Sequence, residues 1–359
     1  MHKYSSFHEG EDEQLELPFL VVILSLIRRV MMKKNLRKIF LAMLVLMVLL
    51  FGCNNENMNN DDGKLRVVTT IFPPYDFARA IGADNISLSM LIKPGGETHS
   101  YEPSPKDITD IQNSDLFIYV GGEGESWVDT ILESMDTSSM TIIRLMDYVN
   151  VVEEEIVEGM EHDHEDHEHE DHDHSEEEHH EDEHAYDEHI WTSPVNAMML
   201  VEKITEVLVS IDPENKETYE ANRDAYISEI NSVHEEFKLV VIEANRDTLV
   251  FADRFPFRYF VEEYGLKYSA AFPGCATETE PSAKTVAYLI DKVKLENIPV
   301  VFYIEFSNQK MADTIIEETG ATKLEFHSAH NVSLEDFNAG KTYVDIMRQN
   351  INNLKEAIK

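Results

Sequence analysis

The sequence predicts an α/β protein: two βα lobes with parallel-type sheets on either side of one long helix. Three observations carry that prediction. Short apolar runs alternate with helical stretches from about Lys64 to Asp212. The same alternation returns from about Arg246 to Lys359. Between them, residues 213–245 carry apolar residues at helical spacing, and from Glu214 to Ala244 neither Gly nor Pro interrupts. The 359 residues suffice for two domains, and 43% hydrophobic content suits a packed core. The formal net charge is −39, and twenty of the 69 acidic residues fall between Glu153 and Glu188, where there is no Lys or Arg. The remainder is acidic too. That balance argues against nucleic acid as a partner and for cations.

The first 53 residues read as an N-terminal extension and an export signal. Lys33, Lys34, Arg37 and Lys38 form a basic start, and Ile39 to Phe51 a short apolar run. That run is below the ~20 residues needed to span a bilayer. Leu50-Phe51-Gly52-Cys53 resembles the bacterial lipobox, in which the cysteine is lipidated; Phe51 departs from the small or branched residue usual there. Cys53 is therefore the expected lipid attachment site, and residues 54–63, polar and of low complexity, the flexible tether. Residues 1–31 hold a second apolar run, Leu15 to Val30, so either translation starts at Met31 or Met32 or the chain has a second membrane segment.

The first lobe is read as residues 64–212. Leu65, Val67 and Val68 make a strand that Pro73-Pro74 stops, and a helix begins at Tyr75. Ile86–Ile92 is a second strand. Asp115–Gly121 is a third, apolar nearly throughout, as a strand covered on both faces must be. Between them Pro94-Gly95-Gly96 forces a turn, His99 follows on the loop, and Ser104-Pro105 opens a helix.

Nine histidines from His162 to His184 alternate with Asp and Glu. No apolar periodicity accompanies them, so the loop, residues 153–188, cannot bury enough surface to offset its ordering entropy. Its chemistry is that of a metal gatherer, because imidazole and carboxylate suit Zn²⁺ and its first-row neighbours. The tract ends at Asp187-Glu188-His189-Ile190-Trp191, where apolar character returns and delivers the chain to an ordered histidine ahead of a helical run, Val195–Ile211.

Taken together, Pro-Gly-Gly-x-x-His-x-Tyr-Glu-Pro-Ser-Pro at residues 94–105 and Asp-x-His-x-Trp at residues 187–191 carry a family resemblance. The chain, from about Leu65 to Lys359, resembles the metal-binding solute receptors of bacterial ABC importers for zinc and manganese. A histidine-rich loop ahead of the second histidine is typical of the zinc members. The resemblance implies that His99 and His189 are first-lobe ligands. It also implies that the long helix, some ~45 Å if fully formed, is a rigid backbone joining two lobes with the metal between them.

The second lobe is read as residues 246–359. Strand-like runs at Asp247–Asp253, Leu266–Phe272 and Ile298–Phe306 alternate with helical ones, the last of these closed by Gly320. Ligands in open α/β sheets bind beyond the carboxyl ends of strands. Asp253, Glu278 or Glu280, Glu305 and His327 all fall at or just beyond the ends of such runs. Here the chain departs from the family pattern. Where zinc receptors usually have Ser-His-x-Ala-Phe-Gly-Tyr, this chain has Ala252 to Tyr259 with Arg254 in the ligand register. A cation cannot ligate zinc, so either Asp253 substitutes through a small backbone shift or that ligand is absent. Near the C-terminus the family often supplies an Asp; this chain offers His327 and His330. Either can enter the site, and His327 is nearer the usual register. Cys275 reads as a small packed residue.

The reading is a lipid-anchored receptor on the outer face of the cell membrane that captures Zn²⁺ and hands it to an ABC permease. It is not an enzyme; the ion is its cargo. The metal site is expected from His99, His189, His327, His330 and Asp253, and a mostly imidazole site favours Zn²⁺ over Mn²⁺. The alternatives are a secreted zinc-dependent hydrolase, against which stands the lack of an evident general base beside paired ligands, and a surface metal buffer or adhesin whose working part is the loop.

Overall fold

In the computed structural model, the described residues are 63–96, 101–160, 186–274 and 281–359. The export signal with Cys53, the tether to Asp62, His99, the histidine-rich tract from His162 to His184, Cys275, Glu278 and Glu280 lie outside them.

The first sheet contains β1 (Leu65–Thr69), β2 (Ile86–Met90), β3 (Leu116–Tyr119) and β4 (Thr141–Arg144), all parallel, in the order β2-β1-β3-β4. Helices α1 (Phe72–Gly82), α2 (Pro105–Gln112) and α3 (Ser126–Ser134) form the crossovers. Pro73-Pro74 does not stand ahead of α1 as the sequence suggested. The helix starts at Phe72 with proline in its first turn, where a missing N–H costs nothing. Ser104 caps α2 in a reciprocal pair with Asp107. β4 has no counterpart in the sequence reading. It is four residues long, lies at the sheet edge, and buries only Ile143 fully.

Ser193 caps α4 (Pro194–Ile211), and a short 3-10 turn leads to α5 (Lys216–Ile242), the long helix. Its buried residues, Tyr219, Tyr226, Ile230, Val233, Phe237 and Val240, fall on one stripe. The second sheet repeats the first: β5 (Thr248–Phe255), β6 (Lys267–Pro273), β7 (Val300–Tyr303) and β8 (Thr322–Glu325) lie parallel in the order β6-β5-β7-β8. α6 (Arg258–Tyr264), α7 (Ala283–Glu296) and α8 (Lys310–Thr319) connect them, and α9 (Leu334–Asn338) and α10 (Tyr343–Ile358) close the chain.

The long helix packs against α1 and α4 on one side and α10 on the other. One continuous core therefore runs from Val67 in the first sheet through Phe237 to Phe302 in the second. Phe237 meets Phe260 edge-on at 4.9 Å; truncating such a side chain costs about 3–5 kcal/mol. A buried polar junction ties the same three parts together. Asp76 of α1 accepts from Tyr226 of α5, from the backbone N–H of Tyr343 in α10 at 2.7 Å, and from Arg79. Arg79 also donates to the Lys341 carbonyl at 2.9 Å. Burial pushes the Asp76 carboxyl up, opposed by the Arg79 charge. In each sheet the order reverses beside the first strand, so the chain leaving β1, β3, β5 and β7 lines a common crevice. Among the described residues no helix is long and apolar enough to cross a membrane.

Candidate metal centre

The crevice encloses a cavity of about 40 Å³ whose lining includes His189, Arg254, Glu305, Ser328, His330 and Asn331. That volume admits an ion with a water molecule.

His189 sits just ahead of α4, at the start of a 3-10 turn, Ile190–Thr192. It is buried, as are its neighbours Asp187 and Glu188. Asp187 Oδ1 accepts from the His189 backbone N–H at 2.8 Å and lies 3.2 Å from His189 Nδ1. This pairing holds the proton on Nδ1 and leaves Nε2 with its lone pair. Burial alone would push the His189 pKa down, but the negative charges of Asp187, Glu188 and Glu154 outweigh it, and the net shift is upward. Glu188 faces the turn after β3, where Gly124 N–H donates to its Oε2 at 2.9 Å. A Cβ at Gly122 or Gly124 would come within 2.5 Å of a carboxylate oxygen, so only glycine lets the turn approach this close.

The segment around His189 is gripped by the second lobe. Tyr259 O–H donates to the Asp187 carbonyl at 2.6 Å, Tyr343 O–H to the Trp191 carbonyl at 2.8 Å, and Trp191 Nε1–H to the Ser328 carbonyl at 2.8 Å. The two roots of the histidine-rich tract emerge beside it: Glu153 bridges to Tyr186, and Asp187 N–H donates to the Val152 carbonyl at 2.9 Å.

The structure sorts the second-lobe candidates. The His330 ring lies 5.2 Å from the His189 ring, nearly perpendicular, and 5.1 Å from Trp191. His327 does not line the cavity. It is buried, its Nδ1 accepts from Ala329 N–H at 2.9 Å, and its backbone pairs with the Asn350 amide. The register between His327 and His330 is broken by Ala329, held at φ +62°. Asp253 does not line the cavity either; its Oδ1 accepts from Arg254 N–H at 2.9 Å. Burial pushes the Asp253 carboxyl up. The cause of this arrangement is a bulge: Phe251 pairs with Ala270 but Arg254 with Phe272, so β5 has one extra residue. The bulge presents Arg254, not Asp253, to the crevice.

Glu305, buried and two residues past the end of β7, lines the cavity. It accepts from Ser328 N–H at 2.7 Å and from Ser328 O–H, and lies 3.4 Å from His327 Nδ1. Its oxygens retain lone pairs beyond these bonds. The next residue, Phe306, is exposed with φ +59°, a strained conformation for an aromatic residue at the cavity mouth. Among the described residues no three His, Cys, Asp or Glu side chains converge as a metal group. The pair that the structure brings together at the cavity is His189 and His330. Ser328 and Asn331 were not foreseen from the sequence. Ser328 pairs with the Glu305 and Trp191 side chains and Asn331 with the Lys93 and Gly96 carbonyls, partners distant in the chain that no local pattern reveals.

Residues 67–357 match the family described as ZnuA, zinc-uptake complex component A, periplasmic. The chain is 33% identical over 315 residues to the high-affinity zinc uptake system protein ZnuA of Bacillus subtilis, covering 87% of this chain and 94% of that protein. It is 34% identical over 322 residues to the zinc-binding lipoprotein AdcA of Streptococcus pneumoniae, covering 89% of this chain but 61% of that longer protein. The crystal structure of the Zn(II)-bound ZnuA-like domain of Streptococcus pneumoniae AdcA superposes with a TM-score of 0.66 at 30% identity, over 82% of this chain and 99% of that domain. The two repeated parallel sheets and the long helix between them are thus the architecture of a known group, and the chain belongs to the family of the zinc-uptake complex component A.

Proposed function

We propose that this protein captures Zn²⁺ in the crevice between its lobes and delivers it to the membrane subunit of an ABC importer. One observation carries the reading most directly. His189, with its Nδ1 proton held by buried Asp187, lies edge-on against His330, and both line a cavity of ionic size. The ligand set is His99 and His189 from the first lobe with His330 and Glu305 from the second. His99 lies outside the described residues, and its assignment rests on the Pro-Gly-Gly turn that precedes it and on the family. Three imidazoles and one carboxylate are a donor set for zinc. Arg254 lines the same cavity and repels a cation, so the carboxylate of Glu305 is needed to offset it.

The relatives' names support the cargo and the setting: a zinc uptake system in one case, a zinc-binding lipoprotein in the other. Lipidation at Cys53 and residence on the outer face of the membrane follow from that setting and from the lipobox-like sequence. A zinc hydrolase fits less well. The spacing His-Glu-x-x-His occurs once, at His180-Glu181-Asp182-Glu183-His184, inside a tract with no apolar periodicity to seat it on a packed helix. A surface buffer or adhesin would bind several ions weakly and have no need for a buried, Asp-oriented histidine.

Competition titration against a zinc chelator tests the reading. His189→Ala and His330→Ala each lose the single tight ion, whereas His327→Ala and Asp253→Ala keep it. A tight site that survives in both His189→Ala and His330→Ala overturns the assignment.

A further inference from the structure

We infer that Asn331 is a positioning residue of the zinc site: its side-chain amide staples the second lobe to the turn that leads to His99. This rests on the receptor reading above.

Asn331 is buried and lines the metal cavity. Its Nδ2 donates to two first-lobe carbonyls, Lys93 O and Gly96 O, each at 2.9 Å. Its Oδ1 accepts from Val332 N–H at 2.8 Å. These partners fix which end of the amide is which: two acceptors face the –NH₂ and one donor faces the oxygen. The turn it holds is tight. Gly96 N–H donates to the Lys93 carbonyl at 2.8 Å, Gly95 has φ +77°, and a Cβ at Gly96 would meet Lys93 O at 2.9 Å. Gly95 N–H donates in turn to the Val332 carbonyl at 2.8 Å, so the turn is held from both sides of Asn331.

The staple belongs to a wider junction. Within five residues, the Ser328 carbonyl accepts from Trp191 Nε1–H at 2.8 Å, His330 O accepts from Phe72 N–H at 3.4 Å, and Asn331 and Val332 hold residues 93–96. Ala329, buried at φ +62°, is the bend that lets His330 and Asn331 reach the first lobe. His330 and Asn331 are adjacent, so moving the 93–96 turn away from Asn331 also changes the spacing between His330 and the chain leading to His99. Without the amide, the Gly96 carbonyl loses this donor, the Lys93 carbonyl keeps only Gly96 N–H, and the turn is held to the second lobe through the Gly95–Val332 bond without the staple.

The test uses full-length protein loaded with zinc. Asn331→Asp keeps the shape but sets a carboxylate oxygen against Lys93 O and Gly96 O; Asn331→Ala removes the amide. Zinc dissociation, followed by a chelator chase, is expected to speed up about 10–100-fold in both, the range for residues that orient ligands, with association unchanged. The absorption spectrum of the Co²⁺-loaded protein should shift in both as the ligand geometry changes. Wild-type dissociation with an unshifted cobalt spectrum overturns the inference, even if the variants melt at lower temperature. Should neither variant fold, hydrogen exchange on the wild type decides. The Gly95 amide is expected to exchange more slowly with zinc bound than without, and equal exchange overturns the inference. His99→Ala separates the two readings. If it loses the tight zinc while Asn331→Asp keeps wild-type dissociation and spectrum, only the role of Asn331 fails. If His99→Ala keeps the tight zinc, the ligand set itself fails.

Discussion

One carboxylate oxygen, Asp187 Oδ1, serves both the backbone and the ring of His189, at 2.8 Å and 3.2 Å. The histidine therefore cannot rotate or change tautomer without breaking a buried contact. Asp187→Asn keeps the size but replaces an ionised acceptor with a neutral amide, which no longer supports the imidazole's charge or fixes its tautomer. Zinc affinity should fall about 10–100-fold with the fold intact. Chelator competition measures the first and circular dichroism the second.

The same pair sets a pH dependence. The His189 pKa is raised, with the Asp187 charge the largest of the causes that raise it. In the metal-free protein, a raised folded-state value contributes stability that is fully present below the unfolded value of ~6.5 and is lost as pH rises through the folded value. Zinc requires the neutral ring, so binding weakens as pH falls through that raised value. Asp187→Asn lowers the His189 pKa and should move the onset of acid-induced zinc loss to lower pH. Affinity measured between about pH 5.5 and 8 reads both curves; coincident onsets would contradict the pairing.

Glu125 offers an independent pH signature. It is buried behind the turn after β3, where its Oε2 accepts from Val120 N–H at 2.7 Å and Gly121 N–H at 2.8 Å. Burial raises its pKa to about 7, with Glu188 adding to the rise. The folded state thus holds a proton that the unfolded state releases near ~4.3. Stability from this group is present at acidic pH and is lost as pH rises through about 7. Glu125→Gln keeps an acceptor for both N–H groups and cannot ionise. The variant should gain roughly 3–4 kcal/mol over the wild type at pH 8 but only about 1 kcal/mol at pH 5, read from urea unfolding of the metal-free protein.

How far the sequence reached depended on where each cause lies. The stripe from Tyr219 to Val240 declares itself because a helix's period is written in its own residues. β1, β3, β5, β6 and β7 were legible from their own apolar runs, while β4 and β8, four residues each at a sheet edge, carry too little pattern. At the site, Arg254 in place of a histidine could be read, but not that a bulge in β5 turns Asp253 away from the cavity. The sequence offered both His327 and His330 and put His327 nearer the usual register, whereas His330 is the one that lines the cavity. They lie three apart in a segment that is neither helix nor strand, and the bend between them is set at Ala329 by contacts with distant parts of the chain. Asn331 was invisible because its amide bonds to carbonyls more than two hundred residues away.

The junction at Asp76 predicts a stability effect away from the metal. Tyr226 O–H is one of three donors converging on this buried carboxylate. Tyr226→Phe removes the hydroxyl and leaves the ring in the core, so the loss is that of a hydrogen bond to a charged group, about 1.5–3 kcal/mol. Thermal unfolding of the metal-free protein measures it. Zinc affinity should stay near wild type, since the junction lies outside the lining of the metal cavity.

The histidine-rich tract is the remaining test. Both of its roots are pinned beside His189, through the Glu153–Tyr186 bridge and the bond from Asp187 N–H to Val152 O. The tract is therefore tethered at both ends beside the His189 segment. Its sequence has nothing to fix ligand geometry in advance, so each ion it binds must offset the cost of ordering chain. Those sites should be weaker than the crevice, while their number and negative charge raise the local cation concentration and speed capture. Unperturbed imidazoles titrate near pH ~6.5, so binding by the tract should fall as pH drops toward ~5.5. Deleting residues 161–184 should leave one tight zinc, abolish the weaker ones, and slow zinc loading at low ion concentration. Equilibrium dialysis counts the ions, and stopped-flow loading measures the rate. Loss of the tight ion in a deletion variant that still folds would place the site in the tract instead of between His189 and His330.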